Sequence, residues 1–218
     1  MPASTTPPYA IARQKRRARY DEATIYAILD AGLVAHVGFI ASERPMVMPM
    51  AYGRDGDTLF IHGASTTRII KEVPERMPVC LTVTLVDGIV AARSAFHHSM
   101  NYRSVVVHGS ARPVDNPEEH EQALRVITEH LLPGRWDEVR PILPKERKAT
   151  GVLALSIEAA SVKVREGGPI DEATDYALPI WAGVIPVTTA LGRPIDDGRR
   201  APGTGIPASF AAARLKFA

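Results

Sequence analysis

Residues 46–63 read MVMPMAYGRDGDTLFIHG and decide the fold of this chain. Apolar residues dominate both ends of the stretch, and Asp55-Gly56-Asp57 lies between them. An Asp-Gly pair between two apolar runs is typical of a tight hairpin turn. The stretch therefore predicts two antiparallel strands, 46–53 and 58–63.

The same kinds of pattern extend outward in both directions. Asp21 is a good helix N-cap, and Asn116-Pro117 is a typical helix start. Asp87-Gly88 is expected to end a strand. In chain order, we predict a helix over 21–31, strands over 33–41, 46–53 and 58–63, a helix over 66–75, strands over 78–86 and 101–114, helices over 116–132 and 144–148, and a last strand over 151–165.

Six short strands with few helices predict a mainly β fold, a closed or nearly closed antiparallel barrel with flanking helices. A doubly wound parallel sheet is excluded, because its strands would alternate with helices throughout.

The composition excludes several classes of protein. The chain has 218 residues, one cysteine, and 26 basic against 24 acidic side chains. One cysteine cannot form an internal disulfide, which excludes a disulfide-stapled scaffold. A hydrophobic content of 45% argues against disorder. No apolar run approaches the roughly 18 residues of a membrane helix, and no secretory signal is visible, so we expect a soluble cytoplasmic protein without a membrane partner.

Three segments are predicted: a basic N-terminal arm over 1–20, a barrel domain over 21–165, and a Pro/Gly-rich extension over 166–218. The arm carries five cations between Arg13 and Arg19, and it is either a tail for an anionic partner or a solvated arm. A net charge of +2 argues against nucleic-acid binding. The extension is too apolar near Trp181 for a free linker, so we expect it to pack on the barrel or on a dimer partner, with one terminal helix over 207–215.

The sharpest candidate site follows the hairpin. The strand ends at Gly63, three hydroxyl residues (Ser65, Thr66 and Thr67) open the next helix, and Arg68 and Lys71 lie on its first turns. Helix N-termini, hydroxyl groups and arginine all favour a bound phosphate. The alternative is an ordinary Ser/Thr cap beside a surface arginine.

A second polar stretch, HHSMNYRS at residues 97–104, opens the strand over 101–114. Polar side chains at the mouth of a barrel favour ligand binding. His97 and His98 point to opposite sides of an extended chain and make a poor metal pair, so no metal site is predicted. The remaining candidates are interpreted as structural: Cys80 as a small buried side chain, and His36, His108, His120 and His130 as strand or helix surface residues.

In this order, these motifs resemble the FMN-binding split-barrel family related to pyridoxamine 5′-phosphate oxidase. The chain is similar to the branch of flavin-nucleotide-binding proteins that includes the nitroimidazole-resistance reductases. The resemblance covers about 16–165, and a further piece over 169–186 resembles the C-terminal extension of this branch. It rests on the helix before Gly32-Leu33, residues 47–52, Asp55-Gly56-Asp57, residues 59–64, Arg68 and residues 102–109.

The resemblance implies a homodimer with two flavins, FMN or FAD, at the subunit interface. It implies that 62–71 holds the flavin phosphate, that 48–52 lies along the isoalloxazine ring, and that the strand near Ser99 adds contacts. Trp181 either caps the ring or packs the dimer. The implied cofactor-binding residues are Met48, Pro49, Met50, Ala51, Tyr52, His62, Gly63, Ala64, Ser65, Thr67, Arg68, Lys71, Ser99, Asn101, Tyr102, Arg103, Ser104 and Trp181.

The expected function is a flavin-dependent oxidoreductase that moves hydride or electrons between a nicotinamide donor and a small acceptor. His62 is the candidate catalytic proton donor, because an imidazole pKa lies near neutrality. Alternatively, His62 only hydrogen-bonds the phosphate or the backbone. The alternative function is a non-catalytic protein that binds, stores or senses flavin or haem. True pyridoxamine phosphate oxidases end in an Arg- and His-bearing substrate signature, whereas this chain has no histidine after His130, which argues against vitamin oxidation.

Overall fold

The computed structural model describes residues 7–73, 75–199 and 201–217, and within these ranges it contains ten strands and five α-helices. The strands are β1 Ala18–Arg19, β2 Ala35–Ala41, β3 Arg44–Met50, β4 Tyr52–Asp55, β5 Thr58–Ala64, β6 Met77–Ala91, β7 Ser99–Pro113, β8 Thr150–Ser156, β9 Ala159–Arg165 and β10 Gly183–Pro186. The helices are α1 Glu22–Ala31, α2 Arg68–Glu72, α3 Pro117–Leu131, α4 Pro144–Ala149 and α5 Ala208–Lys216.

The chain forms two compact units. Among the described residues, the larger unit comprises 33–73, 75–81, 108–158, 189–199 and 201–217. The strand order along the main path of the sheet is β3-β2-β6-β7-β8-β5-β4. The pairs β2–β3, β4–β5, β5–β8 and β7–β8 are antiparallel. This confirms the predicted fold class, the mainly antiparallel split barrel with flanking helices.

Helix α3 covers the core of the larger unit. Asn116 caps it by accepting hydrogen bonds from the backbone N–H groups of Glu118 and Glu119, as the sequence predicts. Gly53 lets α3 approach β4, because a Cβ there would lie 2.7 Å from the carbonyl oxygen of Val126. The buried cluster that the helix forms with its neighbours contains Phe60, Val114, Ala123, Ile127, Val152 and Ala154.

Among the described residues, the smaller unit comprises 7–32, 82–107 and 159–188. In it β9 pairs with β1 and β7, and β10 pairs with β6 in antiparallel register. Asp21 caps α1 by accepting a 2.9 Å hydrogen bond from the Thr24 backbone N–H. The helix buries Ile25, Ile28 and Leu29, which are the apolar positions expected from the helical spacing.

A buried ion pair fastens part of the C-terminal extension within the smaller unit. Asp171 accepts hydrogen bonds from the backbone N–H of Arg93 at 2.9 Å and from its guanidinium at 3.0 Å. The Asp171 side chain is fully covered and that of Arg93 is 20% exposed. The Tyr176 ring lies 4.8 Å from the same guanidinium. The predicted division into 1–20, 21–165 and 166–218 stays a prediction.

Four predicted elements were wrong in extent. The strand over 46–53 is two strands, β3 and β4, that break at Ala51, and the strand over 151–165 is β8 and β9. Strand β6 continues through Asp87-Gly88, because Gly88 pairs with Pro186 of β10. The helix over 66–75 is the five-residue α2. Of that predicted range, Pro74 lies outside the described residues.

Two histidines also differ from the prediction. His120 and His130 are each only 6% exposed, not surface residues. The Nε2 atom of His120 lies 2.9 Å from the Thr150 carbonyl oxygen. The His130 ring packs on Tyr52 at 4.7 Å and on Phe217 at 6.2 Å between ring centroids.

We expect the Arg93→Met variant to lose much more stability than a surface variant, because the buried Asp171 carboxylate is left without its cation. The matched control is Arg76→Met, since the Arg76 side chain is 73% exposed in its pair with Glu158. The loss in unfolding free energy should be at least about three times that of the control. Urea denaturation measures both losses, and equal losses would contradict the role of the pair.

Candidate functional site

The pairing of β5 with β8 positions the candidate site. The register runs from Thr58 opposite Ser156 to Ala64 opposite Thr150. Immediately after β5, the Ser65 backbone N–H donates to the Ala149 carbonyl oxygen at 2.9 Å. The turn that follows is therefore fixed at the start of β8. We call residues 65–71 the hydroxyl-cation turn.

The hydroxyl groups of this turn are available to a ligand. Ser65 and Thr66 are exposed. Thr67 is the N-cap residue of α2, yet within the described chain its side chain makes no capping hydrogen bond. The alternative interpretation, that capping explains the hydroxyls, is therefore not supported at Thr67.

The two cations of the turn, Arg68 and Lys71, remain accessible to a ligand. The Arg68 side chain is 53% exposed, and its Nε lies 3.8 Å from a Glu72 carboxylate oxygen. An exposed ion pair of this kind is worth about 1 kcal/mol or less, so it leaves the guanidinium available to an anion. Lys71 is exposed on the same helix. Because α2 has only five residues, the side chains carry the case for a phosphate, not the helix dipole.

His62 is half-buried and lies next to this turn in the sequence. It lies opposite Val152 in the β5–β8 pairing. Burial lowers its pKa, so its ring is uncharged at neutral pH. Its Nδ1 is buried and has no hydrogen-bond partner among the described residues. Such an atom costs about 1–3 kcal/mol unless it is satisfied, and a hydrogen-bonding ligand would satisfy it. The residues of this region therefore fit a flavin phosphate.

Residues 48–52, which the resemblance places along the isoalloxazine ring, are only partly accessible to solvent. Pro49 is exposed, Met48 and Ala51 are half-buried, and Met50 is 8% exposed. Tyr52 is completely buried beneath α3. Its side chain therefore belongs to the core of the larger unit.

The predicted residues from Ser99 onward lie in the smaller unit. Asn101 is buried, donates to the Gly167 carbonyl oxygen at 3.1 Å and accepts from Arg165. Arg103 binds the Asp87 carboxylate at 2.7 and 3.0 Å, and this hydrogen bonding raises the pKa of Arg103. Both side chains thus stabilise the unit itself. Ser99, Tyr102 and Ser104 are half-buried.

Trp181 is 67% exposed. The edge of its indole ring packs on Gly183, where a Cβ would lie 2.9 Å from the ring atom Cζ2. The lack of a side chain at Gly183 therefore allows the indole ring to pack closely on the backbone, while much of the ring surface stays accessible. The structure assigns Trp181 to the smaller unit, and Met48 to Lys71 to the larger one.

The sequence analysis missed a cavity of about 330 Å³ in the larger unit. Ser65 lines it together with His120 and Arg147, which lie far away in the sequence. No local pattern indicates that these side chains meet. By contrast, no cluster of three or more His, Cys, Asp or Glu side chains within 7–73, 75–199 and 201–217 is suited to hold a metal ion.

A model of the pyridoxamine 5′-phosphate oxidase family matches residues 21–164. The chain belongs to this family. The family resemblance predicted from the sequence is therefore confirmed. A search of curated proteins gives no match.

Solved structures extend this likeness beyond the matched region. The flavocytochrome Anf3 from Azotobacter vinelandii is 41% identical, with a TM-score of 0.88 over 97% of each chain. The FAD and heme binding protein from Mycobacterium smegmatis is 34% identical, with a TM-score of 0.85 over 91% of this chain and 97% of that one. A putative 5-nitroimidazole antibiotic resistance protein from Bacteroides thetaiotaomicron shares the fold, at 22% identity and a TM-score of 0.55 over 67% and 86% of the two chains. None of the helices in the described ranges is long and apolar enough to cross a membrane.

The half-buried His62 predicts a specific dependence of the unfolding free energy on pH. Its pKa is lower in the folded chain than its ordinary value of 6.5, so the unfolded chain binds more protons at mildly acidic pH. Stability is therefore lost as the pH falls through about 6.5 toward the folded pKa. We expect His62→Gln to lose less stability than the wild type between about pH 7 and pH 5. Melting temperatures measured across this range test the difference, with His36→Gln as the control on an exposed strand position. A wild-type slope in His62→Gln would contradict it.

Proposed function

We propose that this chain is a flavin-dependent oxidoreductase that passes electrons from a nicotinamide donor to a small acceptor. The observation that carries the proposal is the hydroxyl-cation turn, in which accessible hydroxyl groups and Arg68 follow strand β5. In that strand, Nδ1 of His62 has no hydrogen-bond partner among the described residues. The flavin supplies the hydride and electron transfer when it is bound, and the protein positions it.

A flavin is the cofactor that the relatives support. One is described as a flavocytochrome and the other as an FAD and heme binding protein, and both cover more than 90% of this chain. Ser65, Thr67, Arg68 and Lys71 would hold its inner phosphate. Its inner phosphate is common to FMN and FAD, so this turn serves either one.

His62 keeps two possible roles in this proposal. Its neutral ring donates or accepts one hydrogen bond through Nδ1, depending on the tautomer. An acid role would require the bound phosphate to raise the pKa of His62, since burial alone lowers it. A hydrogen bond to the cofactor needs no such change.

Haem is a second group that specific observations favour. An imidazole that binds iron usually donates its other ring N–H to a carbonyl or carboxylate. In the smaller unit, His98 is exposed and its Nδ1 lies 2.8 Å from the Ser94 carbonyl oxygen, which leaves Nε2 for a ligand. Nearby, the Phe96 side chain is 88% exposed and available to an apolar ring. His98 is our candidate for the residue that would bind the haem iron.

The homodimer and a reducing cytoplasmic location are also parts of the proposal. The smaller unit exposes many large apolar side chains, as expected of a surface that a partner covers. They include Phe96, Met100, Ile170, Leu178, Ile180, Trp181 and Ile185. The single cysteine, Cys80, cannot form an intramolecular disulfide, and burial raises the pKa of its thiol, which disfavours the reactive thiolate.

Flavin binding is tested first with Arg68→Met. Loss of a charge-assisted contact to phosphate should weaken flavin binding by about tenfold or more. Arg76→Met is the control, because Arg76 is an exposed cation outside the turn. Quenching of flavin fluorescence measures the dissociation constants. A protein that takes up neither FMN nor FAD would defeat the proposal.

Turnover and haem binding are tested by the visible spectrum. We expect flavin bands that bleach when NADH or NADPH is added without oxygen; a bound flavin that never bleaches would favour the storage or sensing alternative.

After reconstitution with haem, we expect a Soret band that His98→Ala loses and His36→Ala keeps. An unchanged Soret band in His98→Ala would exclude His98 as the ligand.

A further inference from the structure

The basic arm that precedes α1 takes no part in the proposed function. It is nevertheless fixed on the smaller unit, because β1 pairs with β9 in antiparallel register and places Ala18 opposite Lys163. The buried Ala12 donates a 3.0 Å hydrogen bond from its backbone N–H to the Tyr20 hydroxyl. Residues 12–20 are therefore tied to the fold.

The pairing with β9 gathers cations that lie far apart in the sequence. A single turn of 3-10 helix over Lys15–Arg17 packs on β9, and β9 contributes two further cations. None of these side chains forms an ion pair with a carboxylate of the described residues. We call the set the cationic cluster: Lys15, Arg16, Arg17, Arg19, Lys163 and Arg165.

The charges of the cationic cluster repel one another within the folded chain. Burial lowers the pKa of Arg165, and the nearby charge of Arg17 lowers it further. The Arg165 guanidinium donates hydrogen bonds to the Asn101 side-chain oxygen and to the carbonyl oxygens of Gly167 and Gly168, all of which are uncharged acceptors. The positive charge is therefore concentrated without being neutralised, which favours an anionic partner.

Neighbouring carboxylates indicate what kind of anion fits. Asp21, Glu22 and Glu166 are exposed and lie within three residues of a cation of the cluster. A uniformly anionic partner, such as DNA or a surface of acidic lipid headgroups, would repel these carboxylates. A protein can oppose the cations with its own acids and the carboxylates with its own cations, because potentials across protein interfaces are complementary. The mixed charges therefore favour a protein with an acidic surface.

The position of the cationic cluster narrows the partner further. Arg165 bonds to Asn101, which lies three residues after His98 in the same unit, and His98 is the proposed haem-binding residue. A contact made mainly by charges gives fast association without tight binding. Electron-transfer complexes are of this kind, with interfaces that bury less than about 1,200 Å². An acidic electron carrier therefore suits both the charge and the place of the cluster.

We propose that the cationic cluster docks a small acidic electron-carrier protein. In each encounter the reduced carrier would lose one electron and the cofactor of this chain would gain it. The electron-carrying part of the inference rests on the proposed function, whereas the docking of an acidic protein surface does not.

The test uses the full-length chain, with an oxidised flavodoxin of strongly negative net charge as the probe. Dissociation constants are measured by titration calorimetry at low and at physiological ionic strength. The variants are the double variant Lys15→Glu/Arg16→Glu in the arm and Lys163→Glu in β9, whose side chains are exposed. The control is Arg193→Glu/Arg199→Glu, because these exposed arginines of the larger unit give the same change in charge as the double variant. Melting temperatures verify that each variant is folded.

The double variant should weaken flavodoxin binding by about tenfold or more at low ionic strength, and Lys163→Glu should weaken it in the same direction. The control should stay within about twofold of the wild type. Added salt should weaken wild-type binding more than that of the double variant, since salt screens exposed charges. The acidic protein α-lactalbumin, which carries no electrons, should bind at least about tenfold more weakly than flavodoxin.

The proposal is overturned if the wild type does not bind flavodoxin, or if the double variant loses no more affinity than the control. Unchanged binding by Lys163→Glu would also overturn it, because the arm alone would then account for the contact. Equal binding of α-lactalbumin would overturn the electron-carrier assignment. Binding of phosphatidylglycerol vesicles or duplex DNA without binding of flavodoxin would overturn it in favour of that partner. None of these measurements needs a cofactor in this chain, so failure to take up flavin would defeat the proposed function separately.

Discussion

The pairing of β5 with β8 is the constraint on which the site depends. It places the end of β5 at the start of β8, so Ser65 bonds to the residue just before β8. Side chains alternate between the two faces of a strand, so a shift of one residue would turn His62 to the opposite face. Ile70 of α2 packs against Gly151, where a Cβ would lie 2.1 Å from its Cγ2 atom. The register of the strands and the position of α2 therefore fix each other.

The same pairing explains why two groups of cations lie at one end of the strands. Helix α2 follows β5, and α4 runs directly into β8. Because β5 and β8 are antiparallel, the end of β5 lies beside the start of β8. Arg68 and Arg147 are far apart in the sequence, but both therefore lie at this end of the strand pair. Their environments differ: the Arg68 side chain is 53% exposed, whereas the buried Nε of Arg147 has no hydrogen-bond partner in the part of the chain that the structure describes.

Features set by a few neighbouring residues could be predicted from the sequence. The Asp55-Gly56-Asp57 turn and the cap at Asn116 each depend on local hydrogen bonds and backbone preferences, and the hydroxyl-cation turn could be recognised for the same reason. Features that require distant partners could not be predicted. Strand β6 runs past Asp87-Gly88 because it meets β10, and His120 is buried because it meets Thr150. The cavity combines residues of the hydroxyl-cation turn, the end of β7, α3, α4 and β8, which no local pattern brings together.

The pairing of β10 with β6 also protects the chain against aggregation. From Gly88 to Ala91, β10 occupies one side of β6, where an unpaired backbone would offer a template for a foreign strand. The exposed Ile89 would make such a template more adhesive. The last residue of β10 is Pro186, which has no N–H to offer to a further strand. A chain shortened before residue 183 would therefore be expected to aggregate through this strand, even with its hydroxyl-cation turn intact.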